Sequence, residues 1–158
     1  LVKTMKLFNK KDYEILFITG NDDYEKIKQN KFPSNVHVVA YVENLIRVMK
    51  KTDLIVSRAG ASTLSEIIAL SLPSILIPSP YVPDNHQFKN AKDLIDKKAA
   101  LLIEEKNLKG DILVRTIDDV INNEDKINEI KNNLKEFKIE NSATLIYNNI
   151  KEIVDGSK

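Results

Sequence analysis

Residues 54–77 read LIVSRAGASTLSEIIALSLPSILI, and this stretch decides the fold. Leu54-Ile55-Val56-Ser57 is a short β-branched run of strand character, and Ser74-Ile75-Leu76-Ile77 is a second. Between them, Leu64, Ile67 and Ile68 recur at helical spacing over residues 63–71. Strand, helix and strand in that order make a βαβ unit with parallel strands and a right-handed crossover. The alternation continues outward in both directions. Residues 14–19, 36–41 and 100–103 read as further strands, and residues 24–30, 43–51 and 87–97 as helices. These strands are runs of apolar residues, the pattern of a sheet covered on both faces. The expected fold is therefore α/β, a Rossmann-like parallel sheet with helices on both faces. Residues 1–9, apolar at Val2, Met5, Leu7 and Phe8, read as a helix. A βα series that opens on a helix lacks the strand that should precede it. The first strand and its loop are therefore expected to be missing from this chain, which begins at Leu1 rather than Met.

After Glu105 the strand runs stop. Ile112, Leu113, Ile117, Val120 and Ile121 form one amphipathic stripe, and Ile127, Ile130, Leu134 and Phe137 a second. Leu145, Ile146, Ile150, Ile153 and Val154 form a third, with breaks near Asn122-Asn123 and Glu140-Asn141. Such stripes read as helices packed on the sheet. The expected organisation is one domain over residues 1–158, alternating α/β over 1–105 with a helical extension over 106–158.

Composition narrows the function classes. The 158 residues are 42% hydrophobic and 30% charged, enough apolar content for a packed core. Lys+Arg 24 against Asp+Glu 23 leaves a net charge of +1, with no basic field to hold nucleic acid or anionic lipid. There is no cysteine, which excludes a disulfide scaffold and thiolate chemistry. Two histidines, with no H-x-x-x-H and no clustered carboxylates, give no metal site, and no cofactor is expected. No G-x-S-x-G elbow is present. No signal peptide is visible, and no apolar run approaches the roughly 20 residues of a membrane span.

Ligands of open parallel sheets bind beyond the carboxyl ends of the strands. Two loops there stand out. Ser57-Arg58-Ala59-Gly60-Ala61-Ser62-Thr63 leads into Leu64-Ser65-Glu66, and its small residues let a backbone approach a ligand closely. A helix start adds unpaired N–H groups and a positive dipole end, which suits a phosphate, and Arg58 can add a guanidinium. Gly60 stands alone, so this is neither a Walker loop nor a three-glycine dinucleotide fingerprint. Thr63-x-x-Glu66 also has the spacing of a capping box. Glu66 therefore either bonds the helix's own N–H or accepts hydrogen bonds from a sugar diol, and spacing does not choose. The second loop, Pro78-Ser79-Pro80-Tyr81-Val82-Pro83, runs into Asp84-Asn85-His86-Gln87. Its helix is expected to open at Asp84 or Asn85, with Asp84-x-x-Gln87 again fitting a capping box. His86 and Gln87 fall in the first turn, placed to hydrogen-bond a polar ligand. Without a carboxylate partner, His86 reads as a plain hydrogen-bonder rather than a general base. His37, inside a strand pattern, reads as structural. Together these features fit nucleotide-sugar binding.

Three segments, Ser57-Arg58-Ala59-Gly60-Ala61-Ser62-Thr63-Leu64-Ser65-Glu66, Leu72-Pro73-Ser74-Ile75-Leu76-Ile77-Pro78 and Asp84-Asn85-His86-Gln87-x-x-Asn90-Ala91, resemble in order and spacing the carboxy-terminal half of the MurG family. The resemblance runs over residues 1–154. It implies a two-domain GT-B enzyme that moves N-acetylglucosamine from UDP-N-acetylglucosamine to undecaprenyl-diphospho-muramoyl-pentapeptide at the cytoplasmic face of the bacterial membrane, in peptidoglycan synthesis. It further implies that Glu66 bonds the uridine ribose hydroxyls, and that Gly60, Ala61, Ser62 and Thr63 face the diphosphate with Arg58 in the same motif. Val42, in Tyr41-Val42-Glu43-Asn44-Leu45, matches the segment whose backbone reads the uracil edge, with Leu45 packing nearby. His86 and Gln87 match the residues contacting the sugar hydroxyls, with Asn90 one turn later. Members often carry two glutamines there, so His86 is a departure.

By the same resemblance, the amino-terminal acceptor domain, which binds the lipid-linked acceptor and supplies the base, is absent from these residues. No catalytic residue is then expected here, and the isolated chain is expected to be inactive and to bind donor weakly. Two other readings compete: a separate donor-domain subunit of a related lipid-linked glycosyltransferase, completed by a membrane partner, and a non-catalytic nucleotide-sugar-binding domain. A missing central strand would also leave an unpaired sheet edge able to recruit a second copy.

Overall fold

The structure is a computed structural model in which residues 2–137 and 150–151 are described. Five strands occur in chain order: β1 (Ile15–Ile18), β2 (Val36–Val39), β3 (Ile55–Ser57), β4 (Ser74–Leu76) and β5 (Leu101–Leu102). Helices α1 (Val2–Met5), α2 (Asn21–Lys28), α3 (Leu45–Met49), α4 (Ala61–Leu70) and α5 (His86–Asp96) alternate with them, and α6 (Ile112–Ile121) and α7 (Glu124–Lys135) follow. Each strand and helix expected from the apolar runs up to residue 137 is present, with ends shifted by a few residues. The first helix is only one α-turn, continued by a 3-10 turn over Lys6–Phe8. The third stripe after residue 144 lies almost wholly outside the described residues.

All ladders are parallel, but they form two groups: β1 with β2, and β3-β4-β5 with β4 in the middle. The single sheet read from the sequence is thus divided between β1 and β3. Ile15 N–H bonds the Asn35 carbonyl, and Ile55 N–H bonds the Pro73 carbonyl. Alternate residues of a strand turn their backbone groups to opposite sides. Those of Leu16, Ile18 and Val56 therefore face flanks that carry no ladder among the described residues. Their side chains are also exposed, at 42%, 40% and 36%. A strand that is covered and paired on both sides would not leave them so.

β4 shows what full coverage looks like. Ser74, Ile75 and Leu76 are all buried. Leu76 belongs to the core that also contains Met49, Leu64, Ile67, Leu94, Val120 and Leu134, from α3, α4, α5, α6 and α7. Ile75 and Ile77 turn the other way, onto Met5, Phe8, Leu113, Val114 and Ile117. Helices therefore cover both faces, and Ile15, Phe17 and Val38 join the second of these cores, so both ladders share it.

The approach to β1 is tied to α6. Lys11 Nζ and Tyr13 Oη donate to the two oxygens of Asp118, at 2.6 and 2.9 Å. Burial, and after it the bond to Asp118, pushes the Tyr13 phenol well above its ordinary value of 10.0. The folded protein thus holds the neutral phenol more tightly than the unfolded chain does. That stability is fully present below about pH 10 and is lost as pH climbs from there toward the folded-state value. Urea midpoints of wild type are expected to fall more steeply between about pH 9 and pH 11 than those of Tyr13→Phe. Equal slopes would remove Tyr13 as the cause.

Candidate functional site

The loops beyond the carboxyl ends of β2, β3 and β4, together with the helices they lead into, carry the residues expected to bind a ligand. α4 begins at Ala61 with Gly60 as its N-cap, and no side chain caps it. The first intrahelical bond runs from Leu64 N–H to the Gly60 carbonyl at 3.0 Å. The N–H groups of Ala61, Ser62 and Thr63 therefore have no helical partner. No acidic residue stands in the first turn, so the positive end of the helix dipole is not offset locally. A Cβ built on Gly60 would meet nothing nearer than Thr63 Oγ1 at 4.0 Å. With φ −71° and ψ 145°, the backbone does not require glycine there either.

This geometry removes the capping-box reading of Thr63 and Glu66. Thr63 is the third helical residue rather than the cap, so Glu66 lies too far along to reach back to the cap N–H. Glu66 is half-buried and takes part in no side-chain hydrogen bond or ion pair among the described residues. A carboxylate without a partner has both oxygens available to hydroxyl donors.

The second capping box also fails. The segment Pro83–Asn85 is a 3-10 turn with Asp84 and Asn85 at φ 53° and 51°, and α5 opens at His86. The left-handed turn swings Asp84 away from the helix axis, and Gln87 bonds elsewhere: its Oε1 accepts from Ser79 N–H at 2.9 Å. The amide group of Gln87 keeps its two donors. Pro83 contributes a carbonyl that can only accept, and His86 Nδ1 lies 2.9 Å from it. A singly protonated ring therefore carries its proton on Nδ1, which leaves the exposed Nε2 as an acceptor. Asn90 follows one turn on, exposed. Val42 and Leu45 sit at the entry to α3, whose cap is the Asn44 side chain accepting from Arg47 N–H. His37, expected to be structural, is exposed and paired with Glu14 at 2.6 Å.

One contact has no precursor in the sequence patterns. Arg58 Nη1 donates to the Ile77 carbonyl at 3.0 Å and to Glu105 Oε2 at 2.5 Å. Glu105 lies in the run Glu104-Glu105-Lys106, which reads as ordinary surface charge, and nothing in its spacing marks it. Among the described residues no group of three or more His, Asp or Glu is placed to hold a metal ion. No helix among them is long and apolar enough to cross a membrane.

An uncapped helix start, a glycine its neighbours do not demand and an unpartnered carboxylate meet on one strand–loop–helix unit, and here comparison with known proteins is informative. The sequence profile of the "Glycosyltransferase family 28 C-terminal domain" matches residues 1–148. The chain belongs to this family. Family 28 relatives include the UDP-N-acetylglucosamine--N-acetylmuramyl-(pentapeptide) pyrophosphoryl-undecaprenol N-acetylglucosamine transferase 1 of Bacillus cereus strain ATCC 14579. The alignment, 157 positions long, is 41% identical and covers 97% of this chain and 43% of that protein. The corresponding transferase of Bacillus pumilus is 41% identical in an alignment of 147 positions that covers 90% of this chain and 40% of that protein. The chain thus spans less than half the length of these curated relatives. The crystal structure of Acinetobacter baumannii MurG matches with a TM-score of 0.79 at 21% identity, covering 96% of this chain and 44% of that one. The glycosyltransferase VinC, solved with dTDP, matches at TM-score 0.66 and 20% identity, covering 85% and 31%. At such identities the two structures speak for the fold, the Rossmann-like half of GT-B glycosyltransferases that this family 28 domain shares.

Proposed function

We propose that this chain is the donor-binding part of an N-acetylglucosaminyltransferase of peptidoglycan synthesis, holding UDP-N-acetylglucosamine for transfer to a lipid-linked muramoyl-pentapeptide. The observation that carries the reading is the pairing, on one helix, of a free N-terminus with the unpartnered carboxylate of Glu66. At about 1.5 Å per residue, five residues separate the two along the axis by about 7 Å. The N–H groups of Ala61, Ser62 and Thr63 receive the diphosphate, and the ribose hydroxyls bond Glu66. The backbone at Val42 reads the uracil, with Leu45 beside it. His86 Nε2 accepts from one sugar hydroxyl while Gln87 and Asn90 donate to others. Gly60 leaves the space a side chain would take from the phosphates.

In such a transfer the acceptor hydroxyl needs a base, and the leaving diphosphate needs its charge met. The residues here supply the second requirement. The acceptor and its base belong, on this reading, to the remaining part of the enzyme, which works at the cytoplasmic face of the membrane. The 158-residue chain alone is therefore expected to bind donor without turning it over. Calorimetric titration with UDP, UDP-N-acetylglucosamine and ADP tests the proposal. Binding of both uridine ligands, with ADP at least about tenfold weaker, is the expected result. Absence of uridine-ligand binding, or turnover of lipid-linked acceptor by this chain, sinks it. The same proposal includes pairing of two copies through the unladdered flanks of β1 and β3. Sedimentation should then show association that Val56→Lys reduces, because a charge on such an edge opposes strand addition. A wild type that stays monomeric at all concentrations rules the pairing out.

A further inference from the structure

We propose that Glu105 is a positioning residue of the donor site, acting through Arg58 to fix the loop after β3 against the loops after β4 and β5. The proposal rests on the donor-site reading above and deepens it. Arg58 directly follows the last residue of β3, Ile77 directly follows β4, and Glu105 opens the 3-10 turn Glu105–Asn107 beyond β5. These three strands are neighbours in the order β3-β4-β5. The Arg58 side chain therefore runs along the rim over the end of β4, and one guanidinium nitrogen joins three strand ends. Ile77 is held from both sides, since its N–H donates to the Ser57 carbonyl at 2.9 Å while its own carbonyl accepts from Arg58.

Two residues after Arg58 comes Gly60, the cap of α4. Fixing the rim at Arg58 thus fixes how the unpaired N–H groups of that helix are aimed, and hydrogen bonds to a diphosphate depend on aim within a few tenths of an ångström. The Glu105 side chain is 29% exposed and that of Arg58 50%, so as an isolated ion pair this contact adds little to stability. Its effect should appear in ligand binding rather than in melting. Glu105 has a second conceivable action with the opposite sign: it draws onto itself a cation that the diphosphate would otherwise attract. Fixed geometry should outweigh that charge competition, because Arg58 is also anchored to the Ile77 carbonyl and would not swing freely if Glu105 were removed.

The test is titration of UDP into the 158-residue chain and into Glu105→Ala, Glu105→Gln, Arg58→Ala and the Arg58→Ala/Glu105→Ala double variant, with thermal melts of each. Glu105→Ala is expected to weaken UDP binding about five- to tenfold, and Glu105→Gln less, because an amide oxygen still accepts from Arg58. In the Arg58→Ala background, removing Glu105 should change nothing further, since Glu105 acts only through that side chain. Tighter binding by Glu105→Ala, unchanged binding, or additive losses in the double variant each overturn the proposal. If Glu105→Ala melts early, its titration is made well below the transition, and wild-type affinity there overturns the proposal. A wild type that ignores UDP overturns the donor-site reading and this inference together, whereas a wild type that binds while Glu105→Ala is indifferent overturns this inference alone.

Discussion

Replacing Glu66 by alanine should weaken UDP binding roughly 100-fold while leaving the melting temperature within a degree or two of wild type. Hydrogen bonds to a charged group contribute about 1.5–3 kcal/mol each, and a ribose diol offers two donors to one carboxylate. Because Glu66 is half-buried rather than enclosed, water competes, and a combined loss of about 3 kcal/mol is the reasonable expectation. Glu66→Gln keeps one acceptor oxygen in place and should fall between, near tenfold. The unchanged melting temperature follows from the helix start. Gly60 is the cap and no side chain closes the first turn, so removing the Glu66 carboxylate orphans no N–H group. Calorimetry with UDP on the wild type and both variants, alongside thermal melts, checks the two halves separately. Equal affinity in all three would end the ribose-binding role. A lowered melting temperature with unchanged affinity would instead point to a structural role for Glu66 that the hydrogen bonds do not reveal.

Periodicity carries the elements of this fold, but not the caps or the contacts between strand ends. Strand and helix placement followed from periodicity, because continuous apolar runs such as Ile75-Leu76-Ile77 have few ways to be buried other than in a sheet covered on both faces. Capping failed twice, at Thr63-x-x-Glu66 and Asp84-x-x-Gln87. The spacing rule locates a box only once the cap is known, and the caps are Gly60, three residues before Thr63, and Asn85, one residue after Asp84. The left-handed Asp84-Asn85 turn is local backbone geometry that Asx residues tolerate but do not announce. Glu105 was not legible at all. It meets Arg58 across 47 positions of sequence, and only the strand order brings the two together.

The largest expected effect on stability lies one residue before the Arg58 anchor. Leu76→Ala should destabilise the fold by about 3 kcal/mol, within the range of about 2–5 kcal/mol for truncating a buried leucine. Leu76 is fully buried, on a strand paired on both sides, in a core to which α3, α4, α5, α6 and α7 all contribute buried residues. Such a site has little freedom to collapse around the missing atoms, which argues for the middle of the range rather than its floor. Against a typical total of about 5–15 kcal/mol this is a large fraction, and the urea midpoint should drop by roughly 1 M or more. UDP affinity measured well below the transition should nevertheless stay close to wild type. The Leu76 side chain faces the core formed with α3, α4, α5 and α7, while the backbone that carries the Ile77 carbonyl and the Ser79 N–H keeps its ladder to β3. Glu66→Ala and Leu76→Ala thus form opposite pairs of outcomes, binding lost with stability kept and stability lost with binding kept. A Leu76→Ala protein that is fully folded at low temperature yet has lost UDP would mean that core packing beneath β4, and not only the rim above it, sets the geometry of the site.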